Sequence, residues 1–163
     1  MSEVTVRALP PMGMVTLRGA LDTLAPAVEA ETGCARPAQR LSSAADGVRA
    51  MWMSPDELML VCDHGGAADL AARLTERLGD AFATVAVVSD ARVVFELTGP
   101  GAIPALASLM PVDFDRLDPS EVRRTRMAQV PAAIWREGAA WRVMCFRSVA
   151  HYAEALLRGA VPV

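Results

Sequence analysis

The apolar residues of this chain fall into short runs set in pairs, and that pairing restricts the fold more than any other feature. Val48–Met53 and Leu58–Cys62 flank Ser54-Pro55-Asp56-Glu57. Phe82–Val88 and Arg92–Leu97 flank Ser89-Asp90. Residues 123–130 and 132–136 part near Pro131, and Glu137-Gly138 leads into Trp141–Phe146. Residues 3–9 and 14–18 make a further pair, broken apart by Pro10-Pro11 and Gly13. Runs of this length bounded by turn residues read as strands. A few residues between two strands suffice only for an antiparallel hairpin, because a parallel neighbour needs a crossover of about a dozen residues or more.

Helical spacing occupies the intervals. Asp22 stands before a helix over 23–32 that Gly33 ends as the residue after the C-cap. After Gly65-Gly66, the positions Leu70, Ala71, Leu74 and Leu78 recur at the helical period up to Gly79. Gly99-Pro100-Gly101 opens a helix that runs through Leu109 and stops at Pro111. Ser148 is suited to cap a last helix, Val149–Arg158. Residues 34–47, rich in Pro, Ser, Ala and Gly, read as a loop. The order ββα-ββα-ββα-βββα predicts an α+β fold with a mainly antiparallel sheet and helices packed on it. At 163 residues this is one domain, 1–163, with halves at about 1–80 and 81–163. Both halves place a helix after a pair of strands, which leaves room for a degenerate internal duplication.

Composition narrows the chemistry. All 16 basic residues are arginine, and the chain has no lysine and no asparagine. A lysine Schiff base, a phosphate-loop lysine and a Cys-His-Asn triad are therefore excluded. The formal net charge of −3 argues against nucleic acid and anionic membrane as partners, since both select a basic face. No apolar run reaches the ~20 residues that cross a bilayer. The opening Met-Ser-Glu-Val-Thr-Val-Arg lacks a basic stretch followed by an apolar one, so no signal peptide is expected and the expected location is cytoplasmic. Cys34, Cys62 and Cys145 are odd in number and widely spaced, unlike a disulfide framework.

No catalytic motif emerges. Cys62 and His64 form a lone pair, short of the three or four ligands a metal needs. His151 reads as a helix-surface or interface residue. There is no G-x-S-x-G, and Ser54, Ser89, Ser120 and Ser148 each precede a turn or helix, where serine caps backbone N–H groups. Cys62 and Cys145 lie in apolar strands, where a thiol behaves as a small hydrophobe. The carboxylate pairs Asp56-Glu57, Asp113/Asp115 and Asp118/Glu121 fit solvated turns. Arg123-Arg124-x-Arg126 is the one basic cluster, with Arg124 and Arg126 on the same strand face. Strand alternation sends Met51 and Met53 one way and Trp52 the other, so one of these two faces is expected to be buried.

Four segments in order resemble one family. Val48–Val61, with Trp52 and Pro55-Asp56-Glu57, resembles the W-x-x-P-D-E-W-L-L hairpin of the sarcosine oxidase gamma-subunit family. Relatives of that hairpin occur in folate-binding aminomethyltransferase domains like the glycine cleavage T-protein. Ser89–Ala102, with Ser89-Asp90, Arg92 and Leu97-Thr98-Gly99-Pro100, resembles the strand-turn-helix of the same group. Pro111-Val112-Asp113-Phe114 is similar to its Pro-Leu-Asp-Leu step. Val130–Leu157, with Arg147-Ser148 and Tyr152, is similar to its closing hairpin and helix. Leu58 departs from the pattern where an aromatic residue is usual, and Leu109-Met110 lacks a cysteine often found before the Pro step. The resemblance implies a T-protein-like fold and a non-catalytic subunit of heterotetrameric sarcosine oxidase. That enzyme oxidatively demethylates sarcosine to glycine with tetrahydrofolate-linked one-carbon transfer. It further implies no cofactor in this chain, with FAD, FMN, NAD and zinc in the other subunits. The implied partner is the alpha subunit, in a complex with beta and delta.

Trp and Arg dominate interface hot spots, so Trp52, Arg124, Trp135 and Trp141 are the expected docking anchors. A stand-alone folate-binding protein, with Asp113 or Glu96 holding the pterin, and a structural domain of another assembly remain as alternatives.

Overall fold

The computed structural model describes residues 3–161. Its strands are β1 (Thr5–Ala8), β2 (Gly13–Gly19), β3 (Ser42–Ala45), β4 (Val48–Ser54), β5 (Glu57–Cys62), β6 (Ala83–Val87), β7 (Arg92–Thr98), β8 (Val122–Met127), β9 (Val130–Glu137) and β10 (Ala140–Phe146). Its α-helices are α1 (Leu21–Thr32), α2 (Ala67–Leu78), α3 (Ala102–Leu109) and α4 (Ala150–Gly159). All strand pairings among the described residues are antiparallel, but two of the expected neighbours do not pair with each other: β1 lies on β7 and not on β2, and β6 lies on β2 while β7 lies between β1 and β10, so Pro10–Met12 and Ser89–Ala91 connect strands of different sheets.

The chain divides into two compact units, one spanning Pro11–Ser89 and the other combining the segment up to Pro10 with everything from Asp90 onward. The Pro11–Ser89 unit has sheet order β3-β4-β5-β2-β6. Its elements run β2-α1-β3-β4-β5-α2-β6. The other unit has sheet order β8-β9-β10-β7-β1, with elements β7-α3-β8-β9-β10-α4. Position by position the two sheets have the same topology, so the fold is internally duplicated. In one unit the closing edge strand follows the second helix; in the other it is β1, the first strand of the chain, which lies against β7 with Thr5 opposite Thr98.

Within each unit the helices cover one sheet face. Val15, Leu17, Leu58 and Leu60 pack with Leu24 and Val28 of α1 and Leu70 and Leu74 of α2. Phe95, Leu97, Ile134 and Val143 pack with Leu106 of α3 and Leu157 of α4. The opposite face is also buried where methionine lines it: Met14, Met51, Met53 and Met59 are all buried. Both faces of β4 carry buried residues, Met51 and Met53 on one side and Ala50 under the helices on the other, where Trp52 near the strand end is half-buried.

Three local expectations shift. The 34–47 loop contains β3, built from Ser42-Ser43-Ala44-Ala45, which pairs with β4. Weak β-formers make a strand here because Asp46-Gly47 closes a two-residue hairpin, both residues having positive φ (47° and 77°). The hairpin of β8 and β9 turns at Ala128-Gln129 and not at Pro131, which lies inside β9 opposite Arg126. Proline is tolerated there because the ladder from β9 to β10 begins one residue later, at Ala132. Ser148 sits within a 3-10 turn, and α4 starts at Ala150 with no side-chain cap.

Helices α1 and α2 are cross-linked by Glu31, which accepts from Arg73 Nε (3.0 Å) and Arg77 Nε (2.6 Å). The Arg77 hydrogen bond, aided by Arg73, holds the Glu31 carboxyl below its ordinary range against an opposing effect of burial. A carboxylate depressed in the fold stabilises above its unfolded-state pKa, and that contribution fades as pH falls through the folded value. Glu31→Gln is expected to lower the thermal midpoint slightly at neutral pH. The gap to wild type should close in acid; a gap that stays constant with pH would contradict the linkage.

Candidate functional site

Several of the side chains singled out for chemistry are engaged in structural contacts, while His64 and His151 are exposed. Cys34 is buried and its Sγ donates to Val48 O (3.3 Å). Burial pushes the Cys145 thiol up, and burial together with Asp63 pushes up Cys62. Both stay protonated at neutral pH, which is the unreactive form. Asp63 accepts from the Gly65 N–H (3.0 Å) and so caps the turn that carries His64, which is exposed. Ser89 is buried and accepts from the Met14 N–H (3.0 Å); Ser54 donates to Asp56 (2.6 Å). Arg18 meets Asp56 at 3.0 Å, and Ser54 and Arg18 together hold the Asp56 carboxyl low. Asp118 accepts from the Ser120 N–H (2.8 Å), and Glu121 accepts from Arg123 (2.7 Å). Among the described residues, no three His, Cys, Asp or Glu side chains converge on a point that could hold a metal. No described helix is long and apolar enough to cross a membrane.

Of the two carboxylates weighed for a pterin, one is ion-paired and the other stands at a turn. Glu96 is held between Arg7 (2.6 Å) and Arg142. Asp113 is exposed ahead of the short turn Phe114–Arg116. A cavity of about 500 Å³ opens in the Pro11–Ser89 unit, where Glu31, Asp46, Cys62, Asp63, Leu70 and Arg73 are among its walls, so neither carboxylate reaches it. The Gly99-Pro100-Gly101 turn serves the chain itself, where Gly99 lets the backbone leading into β1 pass close by. Gly99 has φ +101°, and a Cβ there would stand 2.1 Å from the Glu3 carbonyl oxygen.

The structure separates the four expected docking anchors by burial. Trp141 is 5% exposed and packs edge-on against Phe114, ring centres 5.2 Å apart at 86°, with Arg136 over its ring. Its indole is spent on the unit's own core. Trp135 is 2% exposed and its ring presents no surface. Trp52 is half-buried, and Arg124 is exposed on β8, an edge strand. These two retain surface exposed to solvent. Sequence reading missed the exposed apolar residues Phe82, Val87, Ile103, Phe146 and Tyr152. Phe82 and Val87 looked like members of a buried strand. Nothing in a local run tells whether its strand ends up at the rim of a sheet.

No family model matches the chain. It is 32% identical over 139 residues to the sarcosine oxidase subunit gamma of Corynebacterium sp. (strain P-1), and 30% identical over 146 residues to that of an Arthrobacter species. These alignments take in 84% and 88% of this chain, which spans 64% and 67%, about two thirds, of the length of those relatives. Among solved structures it is similar to a chain of the heterotetrameric sarcosine oxidase from Corynebacterium sp. U-96, in complex with pyrrole 2-carboxylate. The TM-score is 0.88 and the identity 27%, over 97% of this chain and 83% of that one. Its fold is also that of glycine cleavage system aminomethyltransferase T from Bartonella henselae, with TM-score 0.73 and identity 17%, over 96% of this chain and 45% of that one.

Proposed function

The chain belongs to the sarcosine oxidase gamma-subunit family, and from that premise we propose that it is the non-catalytic gamma subunit of a heterotetrameric sarcosine oxidase. The observation that carries this reading is the likeness to one chain of such an enzyme over 97% of the present one. In it, the chain docks on the alpha subunit within an assembly that also contains beta and delta, in the cytoplasm. The assembly demethylates sarcosine oxidatively to glycine and passes the one-carbon unit to tetrahydrofolate. FAD, FMN, NAD and zinc belong to the other subunits. Glu96 and Asp56 are ion-paired and the Cys62 and Cys145 thiols are pushed toward the protonated form, which fits a supporting role. Docking would bury on the order of 800 Å² on each partner, with Trp52 and Arg124 as anchors.

Co-expression with alpha, beta and delta tests this. One copy of each chain should co-elute and release peroxide from sarcosine, and the isolated chain should not turn over. Trp52→Ala and Arg124→Ala should each fold like wild type and weaken assembly by about ten-fold, as loss of one hot-spot residue does. Wild-type chain that never joins the complex, or that turns over an amine alone, would refute the role.

A further inference from the structure

We infer that the outer edge of β6 is a strand-pairing surface that takes up an extended, uncharged segment of the alpha subunit; the partner's identity rests on the function proposed above. β6 ends its sheet, so one side of its backbone has no strand beside it. The Val88 N–H donates inward to Met14 O (2.8 Å), and Val87 and Ala86 stand opposite Val15 and Thr16. Backbone groups alternate in direction along an antiparallel strand. Those of Thr84 and Ala86 therefore turn toward β2, and those of Val85 and Val87 turn outward. The side chains beside them are open as well: Phe82 is fully exposed, Val87 is 48% exposed, and Thr84 and Ala86 are exposed.

The other edge strands are guarded. β8 carries Arg123, Arg124 and Arg126. β1 has four residues, one of them Arg7, and β3 has four residues that begin with two serines. Charge and shortness are how sheets keep their rims from pairing. From Phe82 to Ser89 there is no charge and no proline. This edge is built to be covered.

Charge and area then choose the occupant. An incoming strand bearing Lys or Asp against Phe82–Ser89 would lose water and find no counter-charge, so the segment is neutral and apolar. Five residues span about 17 Å. Two copies joined only at this edge would fall well short of the roughly 1,200 Å² at which stable interfaces begin. A large subunit that also grips the chain elsewhere meets that requirement.

The test uses the four-subunit complex. Hydrogen exchange of residues 82–88 should slow at least ten-fold between the free chain and the complex. Val87→Pro removes an outward donor and leaves the ladder to β2 in place. Thr84→Lys puts a charge on the rim with every backbone donor kept, and serves if the proline variant melts early. Each should cut the fraction assembled at least ten-fold. Wild-type chain that assembles while 82–88 exchanges equally fast free and bound overturns the inference and leaves the gamma role standing. Wild-type chain that fails to assemble overturns the role itself. A concentration-dependent dimer of the isolated chain that Val87→Pro abolishes makes a second copy the occupant and overturns the assignment to alpha.

Discussion

Replacing Gly99 with alanine is expected to destabilise the unit that contains it by about 3 kcal/mol or more. Two costs add. At φ +101° an L side chain is strained, worth about 1–3 kcal/mol. The new Cβ would also lie 2.1 Å from the Glu3 carbonyl oxygen and 3.1 Å from its carbon. Both are backbone atoms, so no rotamer change relieves the clash. The segment leading into β1 must move, and β1 is the edge strand that pairs with β7 from Thr5 to Ala8. Gly138 supplies the control. Its φ is +59°, and nothing lies within 4 Å of a Cβ there. Gly138→Ala should therefore cost only the conformational part, about 1 kcal/mol. Chemical denaturation measures both, and exchange at the β1 and β7 amides should rise only in Gly99→Ala. Equal losses at the two glycines would mean that the contact with Glu3 has no energetic weight.

Trp141→Ala should cost about 3–5 kcal/mol, the range for a large aromatic removed from a packed core. For a chain of this size that is a fall of roughly 6–20 °C in thermal midpoint. The cause is the loss of the edge-on contact with Phe114 and of packing beside Leu97 and Val143, which leaves a cavity. An interface anchor would behave in the opposite way, with midpoint unchanged and assembly lost. Trp52→Ala, at a half-buried position, is expected to follow that second pattern. Thermal unfolding of the isolated chains, run beside co-elution of the complex, separates the two behaviours. An unchanged midpoint for Trp141→Ala would return that residue to the list of docking anchors.

Much of the architecture was legible because hairpins are local. The Ser54-Pro55-Asp56-Glu57 turn, the Gly33 terminus of α1 and the apolar period of α2 each depend on residues within a few positions of one another. β3 was not legible: Ser42–Ala45 has no β-character of its own, and the stretch reads as a loop until the Asp46-Gly47 turn lays it against β4. The resemblance carried by Val48–Val61, Ser89–Ala102 and the closing hairpin led to the same family that the comparisons with known proteins show. The docking anchors were the least legible part. Tryptophan is favoured both in cores and at interfaces, and composition cannot choose between them.

The sequence by itself determined the antiparallel α+β character and the glycine ends of α1 and α2, since these follow from neighbours along the chain. Only the tertiary structure decided that β1 closes the sheet of the later unit, that Trp141 is core and that β6 is a bare rim. The physical reason is the same in each case. Pairing and burial are set by what arrives from far along the chain, with Thr5 meeting Thr98 and Phe114 meeting Trp141, and no local period records such arrivals.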